Sequence, residues 1–189
     1  MKRQRVLLQD TPAQPWRNGG GSTRELLAWP VDVPWQVRVS VAAITSDGPF
    51  SSFPGIERWF AVLSGAGVVL DLPQGLREIT CADAPLRFEG EAAPACRLID
   101  GPTLDLNLMA QRTAGQPLMR RALALDQLDG NCRWRAVYAA EPAVLDTGDV
   151  GNGTESLASG TLLWSDASDA SPWQLRSGGA CWFMELRDE

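Results

Sequence analysis

A chain of 189 residues with 17 Lys and Arg against 23 Asp and Glu carries a formal net charge of -6. That balance argues against a nucleic-acid groove, which needs a concentrated cationic surface. The sequence has no histidine, so the commonest metal ligand and the commonest general base are both missing, and binding is expected ahead of catalysis.

Met1 to Arg5 is basic, but only Val6, Leu7 and Leu8 follow before Gln9 and Asp10, too short a run for the apolar core of an export signal. No stretch is long and apolar enough to suggest a membrane helix. A cytoplasmic protein with neither a membrane nor a nucleic-acid partner is therefore expected. The run PWRNGGGSTREL, Pro15 to Leu26, comes next. Its glycines leave backbone bare, so the Gly19, Gly20 and Gly21 backbone and the Asn18 and Thr23 side chains are expected to face a pocket in which a ligand sits against main chain. It is no phosphate loop, because Gly21 rather than Lys precedes Ser22. Ser22 to Glu25 fits a helix-capping pattern, yet Pro30 would end such a helix at once, so a strand is expected.

Further along, apolar residues alternate and Gly or Pro punctuates the chain 18 and 13 times, an all-β pattern. Trp35, Val37, Val39 and Val41 take one face of a strand, and Gln36, Arg38 and Ser40 the other. Trp59–Leu63 and Gly67–Leu72 are expected to pair across a Ser64–Gly67 hairpin turn. Leu104, Leu106 and Leu108 oppose Asp105, Asn107 and Met109, a polar set with the character of a cavity lining rather than of a wet surface. Leu118–Leu128 has some helical character, and a boundary before it divides the chain into 1–115 and 116–189. Strands are expected at Arg133–Ala139, Gly160–Trp164 and Ala180–Leu186, with a solvated loop over Asp146–Ser159. Cys81, Cys96, Cys132 and Cys181 form no C-x-x-C pair and are expected to be buried free thiols.

PWRNGGGSTREL, the Trp35–Ser40 strand, DGPFSSFPGIER from Asp47 to Arg58, the LSGAG turn from Leu63 and DLNLM from Asp105 resemble the HutD/Ves family. The resemblance implies a bicupin, two small cupin-like β-barrels: an N-terminal one over 1–115 with the ligand pocket and a degenerate one over 116–189. It also implies a cytoplasmic bacterial protein associated with histidine utilisation, with no established enzymatic activity. Metal-binding cupins place two His and a Glu ahead of a turn glycine. Counting back from Gly65 puts Arg58 at the Glu position and Phe53 and Ser51 at the His positions, whereas a shift of one residue would put Glu57 there instead.

On the Arg58 register a carboxylate that would hold a metal is replaced by a guanidinium suited to carboxylates. The expected ligand is then a small anion, urocanate or an N-substituted glutamate, bound without metal, cofactor or catalytic residue. The candidate binding residues are Trp16, Asn18, Gly19, Gly20, Thr23, Arg38, Ser51, Phe53, Arg58, Asp105 and Asn107. Trp16, Phe50 and Phe53 serve equally as pocket wall or plain core, and Arg38 could instead be tied to Asp105 in an internal salt bridge. Two other functions stay open: a metal-independent enzyme using an Asp or Glu base, and a scaffold or homodimer assembled through exposed edge strands.

Overall fold

The computed structural model describes residues 3–31, 33–148, 153–166 and 171–188, and almost every regular element in it is a strand. No described helix is long and apolar enough to cross a membrane. The chain divides into two compact units.

Thr11–Ala114 forms one unit. Its six-stranded sheet runs, in spatial order, Gln14–Pro15, Gly21–Trp29, Val37–Ile44, Thr103–Gln111, Ile56–Ser64 and Leu86–Glu89. A four-stranded sheet of Gly48–Pro49, Ala95–Leu98, Val68–Leu72 and Gly75–Ile79 completes it. Apolar residues from both sheets, among them Ile44, Phe60, Val62, Val68, Leu70 and Cys96, pack into one core. The first residues of the chain do not belong to this unit, contrary to the expected 1–115 span. Gln4–Leu7 pairs antiparallel with Thr161–Trp164, so the chain begins as a strand of the second unit.

That second unit has a five-stranded sheet of Gln4–Leu7, Thr161–Asp166, Trp134–Ala139, Cys181–Arg187 and Gln116–Ala122. Its four-stranded sheet comprises Gln127–Leu128, Trp173–Gly178, Ala143–Asp146 and Thr154–Leu157. Val137, Leu145, Leu163, Trp173 and Phe183 lie in its core.

Four local expectations need correction. Helical character over Leu118–Leu128 gives way to a strand, because Gln116–Ala122 pairs along its length with Cys181–Arg187 and tertiary pairing outweighs local propensity. Ser64–Gly67 is no hairpin turn: Ile56–Ser64 belongs to the six-stranded sheet and Val68–Leu72 to the four-stranded one. Gly65 (φ +95) and Gly67 (φ +111) carry the chain between sheets, and a Cβ on Gly65 would stand 2.5 Å from the Pro102 carbonyl oxygen. Cys81 is only half-buried, unlike Cys96, Cys132 and Cys181, although all four are free. Thr154–Leu157 also adds a strand inside the expected Asp146–Ser159 loop, of which 149–152 lie outside the described residues.

The glycine run shapes a hairpin. Gln14 and Pro15 pair with Thr23 and Ser22, the Trp16 N–H donates to the Gly21 carbonyl at 2.9 Å, and the Gly20 N–H donates to Asn18 Oδ1 at 3.1 Å. A Cβ on Gly21 would lie 2.3 Å from the Ala43 carbonyl oxygen and 3.1 Å from the Trp16 ring, so only glycine lets this strand approach its neighbour. Gly21→Ala should destabilise the protein by on the order of 1–3 kcal/mol and shift the Trp16 fluorescence. Gly19→Ala, with φ +73 but nothing within 4 Å, should cost only about 1 kcal/mol, as measured by urea unfolding.

Asp105 is fully buried on the Thr103–Gln111 strand, with Oδ2 accepting from the Thr103 hydroxyl at 2.7 Å and Oδ1 without a partner among the described residues. Burial pushes its carboxyl up to about 7, and the Thr103 hydrogen bond holds it back only partly. In the unfolded chain the group ionises near its ordinary value. The folded state therefore holds the extra proton between the two, and stability falls as pH rises through that window to about 7. Asp105→Asn should accordingly raise Tm relative to the parent at pH 8, with the difference shrinking by pH 5 in thermal melts.

Candidate functional site

One face of the six-stranded sheet bends around a cavity of about 630 Å³. Strand alternation sets its lining: Arg38, Ser40, Ala42 and Ile44 from one strand, Asn107 and Met109 from the next, Arg58 and Phe60 from the third. The register aligns them, since Met109 stands opposite both Arg38 and Arg58, and Asn107 opposite both Ser40 and Phe60. Thr23 and the turn residues Trp16, Arg17 and Asn18 form one wall. Phe50, Ser51 and Phe53 form another, held because the Phe53 N–H donates to the Gly90 carbonyl at 2.9 Å and the Gly55 N–H to Glu91 Oε1 at 2.7 Å.

Arg58 is the most buried of the cavity's lining arginines, 5% exposed. Its Nη2 donates to Asn107 Oδ1 at 2.8 Å, its Nε has no partner, and no carboxylate pairs with it among the described residues. Instead its guanidinium carbon lies 4.9 Å from the Phe50 ring centroid, 5.0 Å from Phe88 and 5.8 Å from Phe53. Such cation–π contacts offset part of its lost hydration, roughly 0.5–2 kcal/mol each. Burial, and then the charge of Arg38, push Arg58 down to about 10, so it is still a cation at neutral pH. Arg38 is differently placed: its Nε donates to Glu25 Oε2 at 2.6 Å and its Nη1 faces the Met109 sulfur at 3.8 Å.

Of the expected binding residues, Trp16, Asn18, Thr23, Arg38, Ser51, Phe53, Arg58 and Asn107 line the cavity. Gly19, Gly20 and Asp105 do not. Gly20 is buried against the Ser46 side chain and its carbonyl accepts the Thr45 N–H, so the glycines shape the turn that carries Trp16 and offer no main-chain seat for a ligand. Trp16 in turn is fixed by its Nε1 donating to Thr23 Oγ1 at 2.8 Å. Asp105 makes no salt bridge with Arg38, whose partner is Glu25.

Of Arg58 and Glu57, the pleat turns Arg58 to the cavity. Glu57 points to the other face, where it accepts from Arg87 Nη2 at 2.5 Å and Trp59 Nε1 at 3.2 Å. Ser51, Phe53 and Arg58 thus share the cavity, and a hydroxyl, a phenyl ring and a guanidinium are no donor set for a divalent metal. The additional lining residues Ser40, Ala42, Ile44, Phe60 and Met109 follow from extending the two-residue period along strands already identified. Gln14, Pro15 and Pro49 carry no such local signal, since folding alone brings their segments to the cavity.

The chain is similar to protein Ves of Citrobacter koseri, 35% identical over 109 residues that cover 56% of this chain and 56% of that protein. By that measure it spans about half the length of the curated relatives it matches. HutD of Pseudomonas fluorescens SBW25 superposes with a TM-score of 0.85 at 27% identity, covering 100% of both chains. Oxalate decarboxylase of Bacillus subtilis superposes with a TM-score of 0.64 at 8% identity, covering 98% of this chain and 77% of that one, a likeness of cupin fold alone. The HutD family model matches residues 8–183, and the chain belongs to that family, a bicupin built from two all-β units.

Proposed function

We propose that this protein binds a small carboxylate in the cavity of its Thr11–Ala114 unit, as a regulatory component of histidine utilisation in the bacterial cytoplasm, and catalyses no reaction. The observation that carries this reading is Arg58: a guanidinium out of water, facing a cavity, with donors to spare and no acidic partner among the described residues. A buried unpaired ion costs several kcal/mol, and a bound carboxylate would repay that cost with a bidentate, charge-assisted contact. Asn107 accepts from Arg58 and lines the cavity with Ser40 and Ser51. Trp16, Phe50, Phe53 and Phe60 give an apolar body somewhere to rest.

The family name points to histidine degradation, whose intermediates include the carboxylates urocanate and N-substituted glutamates. The enzyme alternative finds little in the geometry: Asp105 lies outside the cavity lining, and Glu25 is engaged with Arg38.

Two outcomes test the reading. Urocanate and N-substituted glutamates should raise Tm in thermal-shift assays, with about 2.7 kcal/mol of protection at a hundredfold excess over Kd. No shift by any of them at millimolar concentration would sink it. Arg58→Met should abolish that ligand-induced shift while raising the Tm of the ligand-free protein, because it replaces an unpaired buried charge with a shorter apolar chain of comparable volume. A variant that loses stability and still binds the acids would show that Arg58 is structural.

A further inference from the structure

Three arginines, Arg17, Arg38 and Arg58, line the cavity, and among the described residues no Asp or Glu does. In a chain of net charge -6 this is a local inversion of sign. The three are not equivalent. Arg38 is already paired with Glu25 at 2.6 Å, so part of its charge is compensated before any ligand arrives. Arg58 sits deep, hemmed in by Phe50, Phe53 and Phe88. Arg17 stands exposed in the turn between Gln14–Pro15 and Gly21–Trp29, and among the described residues it has neither a hydrogen bond nor an ion pair.

Two cations without an acidic partner among the described residues thus line one cavity, Arg58 buried and Arg17 exposed. The turn that presents Arg17 is itself well determined. The Gly19 N–H donates to the Trp16 carbonyl at 3.0 Å, the Asn18 side chain caps Gly20, and Trp16 is tied to Thr23. Its backbone is fixed while its guanidinium is left unengaged.

We propose that the ligand is a dianion, anchored by one carboxylate on Arg58 at the floor, with a second anionic group read by Arg17 at the mouth. This rests on the carboxylate-binding reading and names the charge class of that ligand. Arg17 is then a specificity-determining residue, separating diacids from monoacids of the same shape. A charge-assisted contact of this kind discriminates on the order of tenfold.

Calorimetry with the full chain tests it, using glutarate and adipate, each against its mono-amide, a pair that differs in little but the second charge. At least one diacid should bind about tenfold more tightly than its mono-amide. Arg17→Gln should bring that ratio close to one while leaving mono-amide affinity unchanged, and Arg58→Met should remove binding of both. Equal affinity for diacid and mono-amide, an Arg17→Gln variant that keeps the ratio, or one that weakens both ligands equally would overturn the two-anion proposal and leave the carboxylate reading standing. Failure of every acid to bind the parent protein would overturn both.

Discussion

The site in the Thr11–Ala114 unit is organised around a guanidinium taken out of water without a carboxylate to receive it. Arg58 stays ionised at neutral pH and must be held by weaker means: one hydrogen bond to Asn107 and the faces of three phenylalanines. Those means constrain much else. Asn107 must sit on the adjoining strand on the same face, which fixes the register of Thr103–Gln111 against Ile56–Ser64. Phe50 and Phe53 must be carried back over the sheet, and the Phe53–Gly90 and Gly55–Glu91 hydrogen bonds hold that segment. A one-residue slip would turn Arg58 outward and bring Glu57 in, replacing the cavity's buried cation by a carboxylate.

The second unit shows the contrasting solution. Arg135 is 1% exposed but donates to the Ser171 carbonyl at 2.7 Å, lies 4.3 Å from the Trp173 ring centroid, and stands in register with Glu185 and Ser165. Its guanidinium is absorbed by its surroundings and serves the packing of that unit. Comparison within one chain therefore separates a structural buried arginine from one left facing open space. Burial alone does not distinguish them; the inventory of partners does.

Much of this was legible along the sequence where side chains alternate. The polar faces of Arg38–Ser40 and Asp105–Met109 marked the strands that line the cavity, and extending the same period brings in Ala42, Ile44 and Phe60. The places where local reasoning fell short share one cause. Leu118–Leu128 has a composition that either a helix or a strand could use, and only its partner Cys181–Arg187 decides between them. The glycines of the Pro15–Leu26 run advertised a bare backbone but not what approaches it, which is the Ala43 carbonyl and the Trp16 ring rather than a ligand. Asp105 shares a face with Asn107 yet ends enclosed and outside the lining, because strand parity gives a side and not a depth.

By itself, then, the sequence determined the all-β class and the family, together with the absence of histidine and the presence of arginines at strand positions. These are properties of residue type and period, which survive without coordinates. The tertiary structure decided which charges are already spent. Glu25 rather than Asp105 pairs with Arg38, Arg87 draws Glu57 to the opposite face, and Gln4–Leu7 joins the second unit rather than the first. Pairing between segments distant in sequence depends on register and depth, and those are set only when the sheets close around their cores.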